Sequence, residues 1–254
     1  MDIPQQLVGK IVGCISPNDR ISLRNCSLVA KSWVQPCRGR LFETIDVSGS
    51  VRLGRWLDRI PPTNAGMLLQ HVRSITCYIA DSPDSPHGTV DLLRDYSSSF
   101  RQLERLTFDS GCPPSLARIE MYTGFQHSLS YLSLRSFRVA ASVVVALVDY
   151  FPNLAHLNLS GLSPKVDDQR LLPFSRPLQQ LTIAEFTFDG LPLLDQLMGL
   201  HPRCDKITIE LMWISCPSFA QRVINGVKAN VKRLDLKFEL IGVSKVSKYC
   251  NDDG

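Results

Sequence analysis

Short runs of alternating apolar and polar residues recur along the chain at nearly constant intervals. Each run follows the phrase L-x-x-L-x-L, whose last three positions have the alternation of a β-strand. The phrases begin at Leu103, Leu129, Leu154 and Leu178, with looser copies at Val72, Cys204 and Val231. From Val72 onward the starts are 31, 26, 25, 24, 26 and 27 residues apart. A fixed period in this range predicts a solenoid of stacked repeats.

Helical patterns lie between the phrases, which predicts one strand and one helix in each repeat. They occur at 90–96, 139–150, 191–200 and 219–227. Strands that are always joined through a helix return in the same direction, so they form a parallel sheet. The predicted fold class is therefore α/β, with a curved solenoid whose parallel strands line its inner side.

The first 40 residues lack the phrase and predict three short helices instead. One apolar stripe marks the first helix and contains Leu7, Val8, Ile11, Val12 and Ile15. The stretch Ser16-Pro17-Asn18-Asp19 predicts the end of this helix followed by the N-cap of the second. The third helix is expected to begin near Lys31 and to end before Arg38, with Trp33 as its large apolar anchor.

These patterns divide the chain into three regions. The predicted regions are a helical module at 1–47, a repeat region at 48–240 and a polar tail at 241–254. The module runs into a strand predicted at 41–47, which places an eighth phrase 30 residues before the copy at Val72. The segment 79–87, rich in Asp, Ser and Pro, is the longest insertion and is predicted to be a surface loop.

Composition and charge narrow the classes of partner. The chain is 44% hydrophobic and 20% charged, which is typical of a globular protein. Its net charge of +4 comes without a basic run, so we expect no nucleic-acid partner.

The longest apolar run of the chain, 139–148, is shorter than the roughly 20 residues of a membrane span, and the start of the chain does not resemble a secretory signal. The eight cysteines include no C-x-x-C pair, so we expect reduced thiols in the cytoplasm or nucleus.

No motif for phosphate binding, metal ligation or nucleophilic catalysis occurs in the sequence. The patterns G-x-x-x-x-G-K-S/T, G-x-G-x-x-G, H-E-x-x-H and G-x-S-x-G are all absent. The adjacent carboxylates Asp167 and Asp168 are more typical of a helix cap than of an acid–base couple. We therefore expect no catalytic residue, metal or cofactor. The alternative from a different functional class is an enzyme whose active site lies on the loops of the repeats.

The helical module resembles an F-box, a family that opens with a Leu-Pro-x-Glu-Leu phrase and closes with a Val-Cys-Arg-x-Trp-like phrase. The resemblance covers roughly the first 45 residues. It is carried by Ile3, Pro4, Leu7, Val8, Ile11 and Ile15, then by Asp19, Leu23, Cys26, Ser27, Leu28, Val29, Lys31 and Trp33. Gln6 stands where the family has glutamate, and Ala30 where it has cysteine. A box that runs directly into a first strand also resembles the F-box/leucine-rich-repeat proteins of mushroom-forming fungi.

This resemblance implies a substrate-recognition adaptor of an SCF-type cullin–RING ubiquitin ligase. A three-helix F-box module would dock the Skp-type adaptor, and a curved leucine-rich-repeat solenoid would bind a protein substrate. A separate enzyme would transfer ubiquitin. The family's adaptor contacts correspond to Pro4, Leu7, Val8, Ile11, Leu23, Leu28, Val29 and Trp33. The alternative is a leucine-rich-repeat interaction scaffold with no ubiquitin role, in which Gln6 and Ala30 have disabled docking.

Side chains that alternate with the buried leucines predict a second surface, on the concave face of the solenoid. The row mixes hydroxyls with charges of both signs, which suits a protein partner better than a nucleic acid. The candidate substrate contacts are Tyr78, Asp109, Arg135, Asn158, Glu210 and Lys237.

Overall fold

Three short helices and a parallel sheet form the main elements of the computed structural model. It describes residues 3–48, 62–78, 96–111, 123–164, 174–186, 196–197, 202–211 and 231–238. The insertion predicted at 79–87, the helix predicted at 219–227 and the polar tail at 241–254 lie outside the described residues.

A small apolar core holds the helical unit together. The unit comprises α1 (Gln5–Gly13), α2 (Arg20–Ser27) and α3 (Lys31–Leu41). The buried members of its core are Val8, Val12, Leu23 and Cys37. Partly buried residues, Trp33 among them, pack around these four side chains. The three helices predicted from the sequence are therefore present, and they share a core separate from that of the sheet.

Helix α3 continues to Leu41, whereas the sequence pattern predicted an end before Arg38. Arg40 accounts for the additional turn. Its Nε donates to the carbonyl of Ile15 at 3.1 Å, and its guanidinium pairs with Glu43. These contacts fix the last turn of α3 against the chain that follows α1, an interaction that local propensity does not report.

The sheet contains eight parallel strands that follow one another in chain order within the described residues. These eight are β1 (Thr44–Ser48), β2 (Ser74–Tyr78), β3 (Arg105–Gly111), β4 (Tyr131–Val139), β5 (His156–Ser160), β7 (Leu178–Phe186), β8 (Cys204–Leu211) and β9 (Val231–Phe238), and a ninth strand, β6 (Ser163–Pro164), follows β5 in the chain. The two-residue β6 is the extra strand, which pairs only with the end of β4. Every predicted phrase forms a strand, although β1 begins at Thr44 because α3 includes Leu41.

Strand register aligns the apolar positions across the whole sheet. Successive partners in one row are Ile45, Ile75, Leu106, Leu132, Leu157, Leu181, Ile207 and Leu234. A second apolar row lies two residues further along each strand. Because side chains alternate between the faces of a strand, both rows point to one side, where they form the main core.

A repeated backbone contact accompanies this register. The carbonyl of Glu104 accepts the N–H groups of both Ser130 and Tyr131, at 2.9 and 3.0 Å. The carbonyls of Glu43, Arg73, Ser130 and Ala155 make the same pair of bonds to the next strand. The first five strand-to-strand steps, from β1 to β7, therefore begin with the same geometry.

Two further helices, α4 (Pro62–Leu69) and α5 (Ala141–Tyr150), contribute to the main core. Helix α5 confirms the pattern at 139–150, and it buries Val144 and Val148 against the strands. Helix α4 was not predicted, although a proline at its first position is typical of a helix start. Of the patterns at 90–96 and 191–200, the structure describes only Tyr96, in a turn, and the helical residues 196–197.

A matched pair of glycine substitutions tests the packing of these elements. Gly124 lies against the 3₁₀ helix Ser97–Ser99, and a Cβ there would overlap the carbonyl of Ser97. Gly124→Ala should therefore lower the free energy of unfolding by roughly 1–3 kcal/mol. A Cβ on Gly66 of α4 would meet open space, so Gly66→Ala should raise it by up to about 1 kcal/mol. Urea unfolding followed by circular dichroism measures both; effects of the same sign would contradict this packing.

Candidate interaction surfaces

The helical unit has large apolar side chains on its surface that are not part of its core. We define the exposed apolar set by its six members, Ile3, Leu7, Ile11, Ile21, Leu28 and Val29. Leu28 and Ile21 are 78% and 76% exposed, and the least exposed member, Ile11, is still 40% exposed. In the described part of the chain, Met67 is the one exposed large apolar side chain outside this set.

Helix α1 carries apolar residues on two faces. Val8 and Val12, one turn apart, are buried in the small core. Leu7 and Ile11, also one turn apart, are exposed, and Ile3 precedes them at the same spacing. Residues four apart share a helix face, so α1 presents one apolar face inward and a second outward.

The predicted adaptor contacts divide between the surface and the interior. The exposed ones are Pro4, Leu7, Ile11, Leu28 and Val29, while Trp33 is partly buried. Val8 and Leu23 are fully buried, so in this conformation they support the unit from inside. The predicted contacts did not include Ile3 and Ile21, which the structure leaves exposed. Their spacing could have identified them, because Ile3 is four residues before Leu7 and Ile21 is seven residues before Leu28.

Two side chains fix helix ends in this unit. Asp19 accepts the backbone N–H of Ser22 at 3.0 Å, so it is the N-cap within the predicted stretch 16–19. This bond lowers the pKa of Asp19, because it stabilises the charged carboxylate. Gln5 Nε2 donates to the carbonyl of Ser32 at 3.0 Å and so links the starts of α1 and α3.

The polar face of the sheet is formed by the side chains that alternate with the apolar rows. Strand register arranges it in three rows. The first row is Thr44, Ser74, Arg105, Tyr131, His156, Gln180, Lys206 and Arg233. The middle row is Asp46, Thr76, Thr107, Ser133, Asn158, Thr182, Thr208 and Asp235. The third row includes Asp109, Arg135, Ser160, Glu210 and Lys237.

The structure brings two of the predicted substrate contacts together as neighbours. Asp109 and Arg135 are partners in the register of β3 and β4. Asn158 lies one strand further, in the middle row, where its Nδ2 donates to Ser133 Oγ at 3.1 Å. Tyr78 belongs to the third row by its backbone register, and its side chain lies outside the described part.

The other two predicted contacts, Glu210 and Lys237, bind each other. Lys237 Nζ lies 2.6 Å from Glu210 Oε1, and this bond raises the pKa of Lys237. Asp235 is similarly engaged by Arg233 at 2.8 Å and Lys206 at 3.1 Å, and these bonds lower the pKa of Asp235. The charges on β8 and β9 therefore largely neutralise one another.

Short polar side chains of the polar face are less accessible than the sequence suggested. Ser133 is completely buried, and Ser160 and Thr208 are also buried. The sequence pattern placed these alternating residues on a solvated face. We attribute their burial to their small size beside longer neighbours on adjoining strands. Among the residues that the structure describes, the buried Oδ1 of Asn158 and Oγ1 of Thr208 have no hydrogen-bond partner.

One aromatic and basic stack spans three strands in the first row. The guanidinium of Arg105 lies 5.3 Å from the centroid of the Tyr131 ring. The Tyr131 ring is in turn tilted by 36° to the ring of His156, with 6.5 Å between the two ring centroids. We call these three residues the Arg105 stack.

A cleft of about 370 Å³ lies where the helical unit meets the sheet. Its lining includes Gly9, Gly13, Arg40, Glu43, His71 and Arg73. Arg40 pairs with Glu43, and Arg73 pairs with Glu104 at 3.4 Å, so both of the cleft's arginines are engaged within the chain.

The described residues contain no group of three or more side chains suited to hold a metal ion. Among those same segments, no helix is long and apolar enough to cross a membrane. Neither a known family model nor a curated protein matches the sequence. The resemblance to the F-box family therefore rests on the residues of the helical module themselves.

Substitutions at Asp19 separate the contribution of the helix cap to stability from the contribution of the negative charge. The pKa of Asp19 in the folded chain lies below its value in the unfolded chain, so the ionised carboxylate stabilises the fold. This contribution is fully present at pH values above the unfolded pKa, and it is lost as the pH falls through the folded pKa. Asn caps a helix about as well as Asp, so Asp19→Asn should keep the Tm of the wild type at neutral pH. The fall in Tm between neutral pH and about pH 3 should be smaller in this variant than in the wild type. Asp19→Ala should lower the Tm at neutral pH. Thermal unfolding at both pH values measures this, and equal acid sensitivity of the wild type and Asp19→Asn would contradict it.

Proposed function

We propose that this chain is the substrate-recognition subunit of an SCF-type cullin–RING ubiquitin ligase. The helical unit acts as the F-box that docks the Skp-type adaptor, and the sheet region binds a protein substrate. A separate enzyme transfers ubiquitin, so the chain itself is non-catalytic. The observation that carries the proposal is the exposed apolar set, which gathers six large apolar side chains within residues 3–29.

The exposed apolar set is unfavourable unless a partner covers it. Removing a Leu or Ile side chain from water contributes roughly 1.5–3 kcal/mol. The unit does not provide this burial itself, because its core uses the adjacent face of α1, which contains Val8 and Val12. Leu7 and Ile11 form an outward apolar pair at i and i+4 on α1, a spacing with which a helix docks against a partner protein, and Ile3 adds to it from the chain just before the helix.

The proposed curved solenoid is supported by the repetition within the sheet. Strands of successive repeats are neighbours, their apolar rows are in register, and helices α4 and α5 share the main core. Arrays of this kind curve and use the extended concave surface for binding. The polar face, with its hydroxyls and charges of both signs, then provides the substrate surface.

The proposed ligase role places the chain in the cytoplasm or nucleus. Five cysteines in the described residues, including the buried Cys37, Cys77 and Cys204, are free thiols, as is usual in reducing compartments. Burial raises the pKa of Cys204 to about 12, which keeps this thiol protonated and unreactive.

The docking proposal predicts that two exposed leucines contribute to adaptor binding. Leu7→Ser and Leu28→Ser change side chains that are 50% and 78% exposed, so the fold should persist. Each should weaken binding to a purified Skp-type adaptor by roughly tenfold or more, measured by isothermal titration calorimetry.

Met67→Ser is the matched control, since Met67 is 56% exposed but lies on α4, outside the helical unit. It should leave the affinity for the adaptor unchanged. A wild-type chain that does not bind the adaptor would contradict the ligase role and leave the interaction scaffold as the function. Equal losses in all three variants would contradict docking through the exposed apolar set.

A further inference from the structure

The first row of the polar face contains no acidic residue at any of its eight positions. The carboxylates of the polar face lie in the other two rows, at Asp46, Asp109, Glu210 and Asp235. The sheet therefore offers a line of basic, aromatic and uncharged polar groups that crosses all eight strands along one side of this face.

Arg105 is the basic residue of this row whose charge is unpaired within the described chain. Lys206 and Arg233 are both engaged by Asp235. Arg105 is exposed, and its contact is with the face of the Tyr131 ring. Among the described residues, no hydrogen bond or ion pair engages the guanidinium of Arg105, so its N–H groups can donate to a bound anion.

We propose that the Arg105 stack binds an anionic side chain in an extended segment of the protein substrate. The anion is either the carboxylate of Asp or Glu or the phosphate of a phosphorylated residue, since both accept two parallel bonds from a guanidinium. The Tyr131 ring lies against the guanidinium, and His156 adds a further polar side chain on the far side of that ring, one strand away. The inference rests on the proposed function, because it assigns a chemistry to the substrate that this surface would bind.

The carboxylates in the other rows favour a protein segment over a nucleic acid. Asp109 lies on the same strand as Arg105, four residues away, which corresponds to roughly 13 Å. A phosphate chain long enough to cross the sheet would approach Asp46, Asp109 and the neutralised pairs of β8 and β9, whereas nucleic-acid surfaces are strongly positive. A single anionic side chain at Arg105 avoids these carboxylates.

Binding of the full chain to an array of synthetic twelve-residue peptides tests this inference. The peptides form matched sets with random flanks and a central Glu, phosphoserine or Gln. Glu or phosphoserine peptides should bind roughly tenfold more strongly than Gln peptides, and whichever set binds more strongly identifies the source of the anion. Arg105→Gln should reduce this ratio to about one, and Arg105→Lys, which keeps the charge without the planar fork, should give an intermediate ratio.

Two matched variants serve as controls. Tyr131→Phe keeps the stacked ring and should keep the ratio. Lys232→Gln removes an exposed charge that pairs with Asp205 outside the three rows, and it should also leave the ratio unchanged. An unchanged Tm for each variant establishes that the fold is intact.

Equal binding of all three peptide sets, or a ratio that persists in Arg105→Gln, would overturn the inference. So would tighter binding of a single-stranded RNA that is lost in Arg105→Gln. The same proteins are titrated with the Skp-type adaptor. If the adaptor binds but the ratio is absent, this inference alone fails; if the ratio is present without adaptor binding, the ligase role alone fails.

Discussion

The alignment of two apolar positions on every strand is the constraint on which the described structure depends. Leu132 and Leu134, for example, are fully or almost fully buried between their partners on β3 and β5. A slip of one residue in any pairing would move these side chains to the opposite face, so burial and register enforce each other. The carbonyl that receives two N–H groups at the start of a strand adds a fixed point to each of the first five steps. The order of the three polar rows follows directly from this register.

The helical unit obeys a different constraint, because it has more apolar side chains than its three helices can bury. Its core holds four buried residues, while the outward face of α1, Ile21 of α2 and the residues just after α2, Leu28 and Val29, remain exposed. Small units of this size bury a low fraction of their surface and gain stability from association. The two parts of the chain thus leave different surfaces available: the helices expose apolar side chains, and the sheet exposes polar and charged ones.

Most of the sheet could be predicted from the sequence, since each L-x-x-L-x-L phrase fixes a strand, its buried face and its neighbours. The bounds of α3 could not, because its last turn depends on the contact between Arg40 and the carbonyl of Ile15, 25 residues away. Helix periodicity also could not separate the inward pair Val8 and Val12 from the outward Leu7 and Ile11, as both are valid apolar faces. The lack of a charge partner for Arg105 among the described residues was equally hidden, because pairing depends on which side chains meet across strands.

Hydrogen–deuterium exchange of the full chain, with and without the Skp-type adaptor, tests the central claim most directly. Docking through the exposed apolar set should slow exchange in peptides that cover α1 and α2, and it should leave β3 and β4 unchanged. Exchange in α1 and α2 that does not respond to the adaptor, or slowing confined to the sheet, would contradict the account.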